Sequence, residues 1–569
     1  MNRTELEQRI RRAYARIAAA ERPEVWISLR PLEDVLAEAV TIDHRAPLAG
    51  TLVAVKDNID VAGLPTTAAA PSYAHEPERD ATAVARLRAG GALVLGKTNM
   101  DQFATGLVGT RSPYGAVRHA FAPERVSGGS SSGSAVAVAL GFVDVALGTD
   151  TAGSGRVPAA LHGLVGVKPT RGLIPTTGVV PACRSLDCVT VFARDLDTAR
   201  RVAEHLAGPD GRDPSARPDA PLPAPAARPR IAVPAPEHLE GLADGWAEAF
   251  TRYVETVRAT GAQVVEVDIA PLLEAAELLY GGAFVAERTA AVGAHIAEHA
   301  HLVGTDLDPT VAGIVRAGHD VTAVEVFRDR ERLDHLGARA GELLAGTTAL
   351  LTPTTTWHPT LADVAADPVG ANSRMGRFTN FANLLDMASL AVPAGTVAGL
   401  PFGVMLTGPA FSDRTLAALA ARWANPAVDL FVVGAHLSGQ PLNHQLVAAG
   451  ATLLGPAATA PQYRLFTLDT APPKPGMVRD PRGARIEGEV WRLPASGFGT
   501  FVAALPQPMS IGAVTLEDER VVRGFLAEPV ALRQAQEITA SGSWPAAQAA
   551  AQAAVRTRAH RVAVAGSLP

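Results

Sequence analysis

The sequence predicts an α/β protein with a sheet covered by helices, followed by a smaller α+β domain. Three observations indicate this class. Apolar strands alternate with amphipathic helices from residue 51 to residue 97, in TLVAVK, DATAVARLRAG and GALVLGK. The alternation repeats at 134–164, and it is typical of α/β folds. Beyond about residue 428 the pattern changes to short strands such as DLFVVGAHL and GEVWRLP, which indicates a second, strand-rich domain.

The composition is that of a globular protein with two or three compact units. The 569 residues are 47% hydrophobic and 19% charged, which supplies a large core and excludes a natively unfolded chain. The formal net charge is −6, from 51 Lys and Arg against 57 Asp and Glu. A nucleic-acid surface therefore has little support, and a small-molecule partner is favoured.

The N-terminal segment and the cysteines favour the cytoplasm. Residues 1–20 mix charged and apolar residues at helical spacing, without the apolar stretch of a signal peptide. No later apolar run has the length of a membrane span. Cys183 and Cys188 are the two cysteines, and without a second pair they are expected to be reduced structural thiols.

The elements follow in chain order from these patterns. We predict helices at 1–20, 80–90, 134–141 and 157–164, and strands at 51–56, 91–97 and 142–149. A Pro- and Ala-rich stretch at 208–229 is predicted to be an exposed loop that feeds the strand RIAVP. The domain border is expected near 421–428, which gives domains 1–425 and 426–545 and an Ala-rich tail, 546–569, without an assigned role.

A phosphate-loop pattern at residues 91–98 is interpreted as accidental. GALVLGKT matches G-x-x-x-x-G-K-[ST], but its middle residues form an apolar strand whose N–H groups are not free to bind phosphate. No metal-ligand cluster or nucleotide fingerprint is found elsewhere. We therefore expect neither a metal nor an organic cofactor.

Segment 127–158 contains two turns rich in glycine and serine. GGSSS at 128–132 starts a helix, and GSG at 153–155 follows a strand and leads into a helix. A serine at a sharp strand-to-helix turn has backbone N–H groups nearby that can stabilise an oxyanion. From the residues alone, these serines can also be helix caps and turn formers.

Lys56 is the candidate general base, because neither turn contains a histidine. It ends the apolar run TLVAV, and burial there lowers the pKa of a lysine towards neutrality. The alternative is a structural lysine that pairs with Asp57 or Asp60.

Lys56, GGSSSGS and GTDTAGSGR together resemble the amidase signature family, whose triad is a lysine, a serine after a cis peptide bond and a nucleophilic serine. Ser154 follows Ser130 by 24 residues, the interval of that family. The resemblance implies a central mixed sheet covered by helices. It assigns Lys56 as base, Ser130 as proton relay and Ser154 as nucleophile. It also places the oxyanion hole at the backbone N–H groups of Thr151, Ala152, Gly153 and Ser154.

Within that family, KDNIDVAGLPTT, GKTNMDQFATGLVGTRSPYG and VVPACRSLDC resemble the allophanate hydrolases more than other amidases. The resemblance implies that Tyr280 and Arg288 recognise the substrate and that the Gly106 backbone lies against it. An arginine can bind the carboxylate of allophanate through two parallel hydrogen bonds. Without the resemblance, Tyr280 and Arg288 would be structural residues on successive turns of one helix.

The C-terminal domain resembles the accessory domain of the allophanate hydrolases and, more distantly, the γ-glutamylcyclotransferase-like fold. The resemblance implies that His436, in FVVGAHLSGQPLN, takes part in decarboxylating the product of the first domain. A histidine in a glycine turn can titrate near neutral pH and donate a proton to a leaving group. A lone histidine is more often structural.

The resemblance thus implies hydrolysis of allophanate (urea-1-carboxylate) to ammonia and carbon dioxide, through amide hydrolysis and decarboxylation of N-carboxycarbamate. It further implies a homodimer and a functional link to a biotin-dependent urea carboxylase, without nucleic-acid or membrane partners. Three alternatives stay open: another small-amide hydrolase, a component of a tRNA-dependent amidotransferase, and a C-terminal domain that acts only in dimerisation or docking. Arg118-His119 and Leu161-His162 depart from the asparagines expected in allophanate hydrolases.

Overall fold

The computed structural model describes residues 3–423, 427–470, 473–533 and 535–565. The chain divides into two units, Met1–Trp423 and Ala424–Pro569. The expected border at 421–428 includes residues 424–426, and the Ala-rich tail at 546–569 includes residues 566–569. Both stretches lie outside the described residues.

The first unit is built on an eleven-stranded sheet with the strand order β1-β3-β2-β4-β6-β5-β10-β11-β9-β7-β8. The sheet is mixed, because β2 runs parallel to β3 and β4 while β4 runs antiparallel to β6. Its strands are β1 (Trp26–Leu29), β2 (Leu52–Lys56), β3 (Leu93–Thr98), β4 (Val145–Asp150), β5 (Val165–Lys168), β6 (Cys188–Ala193), β7 (Arg230–Pro234), β8 (Gln263–Val267), β9 (Ala349–Pro353), β10 (Ala388–Val397) and β11 (Leu400–Gly408).

Helices cover both faces of this sheet. They are α1 (Arg3–Ala20), α2 (Leu32–Ala39), α3 (Thr82–Ala89), α4 (Ser132–Ala139), α5 (Val157–Leu161), α6 (Leu196–Leu206), α7 (Trp246–Ala259), α8 (Ala270–Gly281), α9 (Val285–Glu298), α10 (Pro309–Ala317), α11 (Ala323–Leu343), α12 (Leu361–Ala366), α13 (Gly370–Met375), α14 (Asn380–Leu384) and α15 (Asp413–Trp423). The predicted fold class, a central mixed sheet covered by helices, is confirmed.

The core lies on both sides of the central strands. All five residues of β2 are buried. Val53 and Val55 belong to one hydrophobic cluster, and Leu52 and Ala54 belong to another. Successive side chains of a strand point to opposite faces, so the apolar run that predicted this strand fills both layers and leaves Lys56 at its end.

The second unit contains a five-stranded sheet of order β13-β16-β12-β18-β17 and a three-stranded sheet of order β15-β14-β19. Its short strands agree with the smaller α+β unit expected from the sequence. In chain order, its elements are β12 (Ala427–Val432), α16 (Asn443–Ala448), β13 (Thr452–Ala458), β14 (Tyr463–Leu468), β15 (Lys474–Arg479), β16 (Glu487–Pro494), α17 (Ala495–Ala503), β17 (Met509–Thr515), β18 (Val521–Ala527), β19 (Gln536–Glu537) and α18 (Trp544–Ala565).

Within the described residues, no helix is both long and apolar enough to cross a membrane. The same residues contain no cluster of three or more His, Cys, Asp or Glu side chains that could hold a metal ion. Cys183 and Cys188 are buried free thiols, and burial raises the pKa of Cys183 to about 12.

Three buried histidines form a cluster in the first unit. The rings of His119 and His162 stack with their centres 4.2 Å apart, and His358 meets His119 edge-on at 4.7 Å. His119 Nε2 lies 2.8 Å from Leu161 O, and His162 Nδ1 lies 2.9 Å from Pro158 O. The two histidines that depart from the expected asparagines therefore bind the backbone of α5.

Acidification should destabilise the first unit through this cluster. Burial lowers the pKa of His162 from 6.5 to about 3 and that of His358 to about 4. Below pH 6.5 these histidines therefore bind protons in the unfolded chain but stay neutral in the folded chain. Each such histidine removes about 1.4 kcal/mol of unfolding free energy per pH unit below that value. Urea unfolding at pH 7 and at pH 5 measures the loss.

The matched variant replaces His119 and His162 together by asparagine. It should lose less unfolding free energy between pH 7 and pH 5 than the unchanged protein does. Replacing the exposed His335 on α11 is the control and should preserve the original pH dependence. An equal loss in the double variant and the unchanged protein would contradict the prediction.

Candidate active site

Three residues with predicted catalytic roles meet where β2 and β4 end. Lys56 is the last residue of β2, and Ser154 lies between β4 and α5. Ser130 lies just before α4. Strands β2 and β4 are parallel neighbours, so their carboxyl ends lie at the same edge of the sheet, where α/β proteins place their ligands.

A continuous chain of hydrogen bonds joins the three side chains. Lys56 Nζ donates to Ser130 Oγ over 2.7 Å, and Ser130 Oγ donates to Ser154 Oγ over 2.9 Å. The peptide bond between Gly129 and Ser130 is cis, as the resemblance implies. None of the three residues is more than 2% exposed, so this chain of hydrogen bonds is shielded from bulk water.

Lys56 has the environment of a base. Its Nζ also donates to Thr149 Oγ1 over 2.8 Å. Burial lowers the pKa of Lys56 from 10.5 to about 7, although the charges of Asp101 and Asp150 oppose the shift. Pairing of Lys56 with Asp57 is excluded, because Asp57 forms its ion pair with Lys97 at 3.3 Å.

An ion pair between Asp150 and Arg156 holds the turn that contains Ser154. The Arg156 guanidinium donates to both carboxylate oxygens at 2.8 and 2.9 Å, and both side chains are fully buried. The same carboxylate accepts the N–H groups of Gly153 and Gly155, so the turn is fixed on both sides of the serine. Gly153 has a φ of 137°, which favours glycine.

The oxyanion donors differ in one respect from the set that the resemblance implies. The N–H of Gly153 already donates to Asp150 over 2.8 Å, so the assignment of Gly153 as a donor to substrate is corrected: its N–H holds the turn. The N–H groups of Thr151, Ala152 and Ser154 donate to no acceptor among the described residues. Three of the four expected donors thus stay available to a substrate oxygen.

Gly106 lies beside Ser154 on a loop that Asp101 holds. Gly106 O is 3.5 Å from Ser154 Oγ. The Asp101 carboxylate accepts the N–H groups of Val108 and Gly109 at 3.2 and 3.0 Å. A Cβ atom at Gly106 would lie 2.5 Å from Asp101 Oδ2, so the loop presents backbone to the serine.

Tyr280 and Arg288 lie together although they belong to different helices. Helix α8 ends at Gly281 and α9 begins at Val285, so their interpretation as successive turns of one helix is wrong. Arg288 Nη2 donates to Tyr280 Oη over 2.9 Å, and Arg288 Cζ is 4.9 Å from the centre of the tyrosine ring.

Arg288 is a buried cation, 1% exposed, without an ion-pair partner in the described part of the chain. Its Nη1 donates to Thr105 Oγ1 over 2.9 Å, and its Nε has no hydrogen-bond partner there. Thr105 directly precedes Gly106, whose carbonyl oxygen is 3.5 Å from Ser154 Oγ, so this hydrogen bond links the guanidinium to the loop beside Ser154. A buried unpaired charge costs several kcal/mol, which an anionic ligand would offset.

Sequence reasoning missed the polar residues that support these groups. Each lies inside a motif that carries the family resemblance, but the motif does not say what the residue contacts. These residues are Asp101, Thr105, Thr149, Asp150, Arg156 and Asp187, the last of which accepts a hydrogen bond from Thr151 Oγ1 over 2.5 Å.

His436 lies in the second unit, on the wall of a cavity of about 600 Å³. Its ring stacks on Phe525 with the ring centres 5.0 Å apart and meets Phe501 edge-on at 5.2 Å. His436 Nε2 is 3.0 Å from Gln445 Oε1. Burial lowers the pKa of His436 below its ordinary value of 6.5, so its titration is shifted to the acid side of the near-neutral value expected from the sequence.

Residues 8–417 match the family model described as Amidase. The chain belongs to this family. Residues 428–549 of the amidase match a second model, described as the allophanate hydrolase C-terminal domain. The two matches confirm the resemblance inferred from the sequence motifs, and they make the chain an amidohydrolase.

Relatives and solved structures agree with this membership. Urea amidolyase of Saccharomyces cerevisiae is 43% identical over 548 residues, which are 88% of this chain and 30% of that protein. The chain thus spans about a third of the length of that relative. Urea amidolyase of Lachancea kluyveri is 42% identical over 556 residues, which are 90% of this chain and 30% of that protein. The structure of Kluyveromyces lactis allophanate hydrolase is 39% identical, with a TM-score of 0.70 and 96% coverage of both chains.

Proposed function

We propose that this amidase hydrolyses allophanate in two steps. Residues 1–425 would hydrolyse the terminal amide, and residues 426–545 would assist decarboxylation of the product. The observation that carries the proposal is the buried Arg288, which has no ion-pair partner in the described residues and is linked through Thr105 to the loop beside Ser154. An amide substrate that also bears a carboxylate satisfies both groups at once.

In the first step, Ser154 Oγ attacks the carbamoyl carbon of allophanate. Hydroxyl groups rotate freely, so Ser154 can donate its proton to Ser130 while Ser130 donates to neutral Lys56. A lysine with a pKa of about 7 is about half neutral at that pH and mostly neutral one pH unit above it, which suits a general base. The hydrogen bonds from Lys56 to Ser130 and from Ser130 to Ser154 support this proton path.

The tetrahedral intermediate places negative charge on the former carbonyl oxygen. The N–H groups of Thr151, Ala152 and Ser154 are the proposed donors to it. The C–N bond then breaks, its electron pair and a returned proton leave with the nitrogen as ammonia, and water releases N-carboxycarbamate from the serine. Arg288 and Tyr280 would hold the carboxylate throughout, and the Gly106 backbone would line the substrate.

In the second step, N-carboxycarbamate loses carbon dioxide. The C–N bond to one carboxylate breaks, the electron pair stays on nitrogen, and a proton joins that nitrogen to give carbamate. Carbamate then takes up a further proton from water and yields ammonia and a second carbon dioxide. His436 is the proposed proton donor, since Gln445 orients its ring on the cavity wall.

We also propose the setting in which the enzyme works. The similarity to urea amidolyase supports a functional link to a biotin-dependent urea carboxylase. The two free buried cysteines agree with a reducing cytoplasm. A homodimer is the proposed assembly, and sedimentation equilibrium of the full chain tests it.

The proposed substrate is tested by comparing ammonia release from allophanate, malonamate, biuret and acetamide. Allophanate should give the highest kcat/KM, and malonamate should follow because it retains the carboxylate that Arg288 binds. Biuret has the same skeleton with an amide in place of the carboxylate and should be a poor substrate. Preference for biuret or acetamide would leave a general amidase and overturn the assignment of allophanate.

A further inference from the structure

The cavity beside His436 has mostly apolar walls and few polar groups. Its wall includes Phe501, Met509 and Phe525, whereas its polar side chains include His436, Gln445 and Lys474. At about 600 Å³ the cavity is several times larger than N-carboxycarbamate. Shape alone therefore cannot select such a small dianion, and charged groups must do so.

Lys474 and His436 both line this cavity, and the segments that carry them pack against each other. It is the first residue of β15, and the next residue, Pro475, packs directly against Gly434, since a Cβ atom on Gly434 would lie 2.3 Å from Pro475 Cγ. Gly434 precedes His436 by two residues. The charge of Lys474 acts on the His436 ring, where it lowers the pKa of that histidine further.

The Lys474 ammonium forms no ion pair and no hydrogen bond with the residues that the structure describes. It is half-buried, and only three other lysines occur in the chain, each of them buried in the first unit. Nearby, the backbone N–H groups of Ala435 and His436 also donate to none of the described acceptors. Successive N–H groups and an unpaired ammonium together form an anion-binding arrangement.

We propose that Lys474 binds one carboxylate of a small dicarboxylate in this cavity and is a substrate-binding residue of the decarboxylation step. The inference rests on the proposed function, and it identifies the group that selects the dianion there. The carboxylate on Lys474 is the one that stays as carbamate. The other lies against the apolar wall, where loss of water favours its departure as neutral carbon dioxide.

The proton balance follows from this arrangement. The broken C–N bond leaves its electron pair on nitrogen, which takes one proton from protonated His436, and carbon dioxide leaves. A dianion beside His436 opposes the effect of Lys474 and favours protonation of the ring. Binding of the substrate therefore favours uptake of a proton from the solvent by His436, and the step consumes that proton.

Malonate tests the proposal, because it is a stable dicarboxylate with CH2 in place of the nitrogen. Calorimetric titration uses the full chain with Arg288→Met, which removes the proposed anion site of the first unit. One binding site should remain, and Lys474→Met should weaken malonate binding about tenfold or more. Lys474→Arg should largely retain it, and Arg479→Met, at the exposed far end of β15, should leave it unchanged.

Two results would overturn the inference: absence of malonate binding in the Arg288→Met background, or unchanged binding after Lys474→Met. His436→Asn in the Arg288→Met background tests whether malonate binds next to His436. If neither Lys474→Met nor His436→Asn changes malonate binding, the anion binds outside this cavity. With allophanate, Lys474→Met in the otherwise unchanged chain should delay carbon dioxide and the second ammonia relative to the first ammonia, because the first ammonia leaves before decarboxylation and the second only after it. If the unchanged chain does not hydrolyse allophanate, the proposed function is refuted, whatever the result of the malonate titration.

Discussion

Replacing Ser154 by alanine should lower kcat/KM for allophanate by about 10^4-fold or more, because in the proposed mechanism covalent attack by this hydroxyl begins the reaction. The turn itself should survive, since the Asp150–Arg156 ion pair and the N–H groups of Gly153 and Gly155 hold it without the serine side chain. The decisive measurement is initial ammonia release, with circular dichroism to show that the variant is folded.

The neighbouring Ser132 provides the control. It is equally buried, but within the described residues its Oγ donates only to Asn99 O, over 3.3 Å, so Ser132→Ala should stay within a few-fold of the unchanged enzyme. Lys56→Met should be nearly as damaging as Ser154→Ala, and the double variant should be no worse, because the residues act in one proton path. Ammonia release that persists in Ser154→Ala would refute the mechanism.

The pH dependence of kcat/KM in the unchanged enzyme tests the proposed role of Lys56 as the base. Lys56 must lose its proton to act, and its pKa is about 7. The value of kcat/KM should therefore rise as the pH increases through about 7 and then level off.

Much of the candidate catalytic centre could be predicted from the sequence because it depends on local order along the chain. Lys56 ends an uninterrupted apolar run, and burial follows from that position. The family interval between Ser130 and Ser154 supplied the other two members. What the sequence could not supply is how the side chains meet, since Ser130 and Lys56 are 74 residues apart.

The pair Tyr280 and Arg288 shows where periodicity misleads. An interval of eight residues suits two turns of one helix, but the backbone of Gly282 is extended and ends α8. The adjacent glycines in LLYGGAFVAER were an available signal, since glycine commonly follows the last turn of a helix. The contact of Arg288 with Thr105 spans 183 residues, and no local pattern reports such a contact.

Gly153 shows the limit of transferring a family role by position. Its place in the motif suggested a donor to the substrate, whereas its N–H is already bound by a carboxylate three residues earlier. A position in a motif fixes the backbone path but not the acceptor that each N–H meets. That acceptor depends on Asp150, which Arg156 orients from the other side of the turn.

Replacing Arg288 by methionine should lower kcat/KM for allophanate about 100-fold or more, mainly through a higher KM, because the variant loses the two charge-assisted hydrogen bonds proposed between Arg288 and the carboxylate. Biuret has no carboxylate, so its kcat/KM should change far less and the preference for allophanate over biuret should shrink. Arg288→Lys keeps the charge but not the fork and should fall between the two.

Thermal stability distinguishes a substrate-binding role of Arg288 from a structural role. Arg288 is buried without an ion-pair partner in the described residues, so methionine removes an uncompensated charge and should leave Tm unchanged or raise it. A structural arginine would behave in the opposite way and lower Tm together with activity on every substrate. Arg316→Met, at an exposed position on α10, is the matched control and should alter neither quantity. If Arg288→Met lowered kcat/KM for allophanate and biuret equally, Arg288 would not recognise the carboxylate. The reason to prefer allophanate over a neutral amide would then be lost.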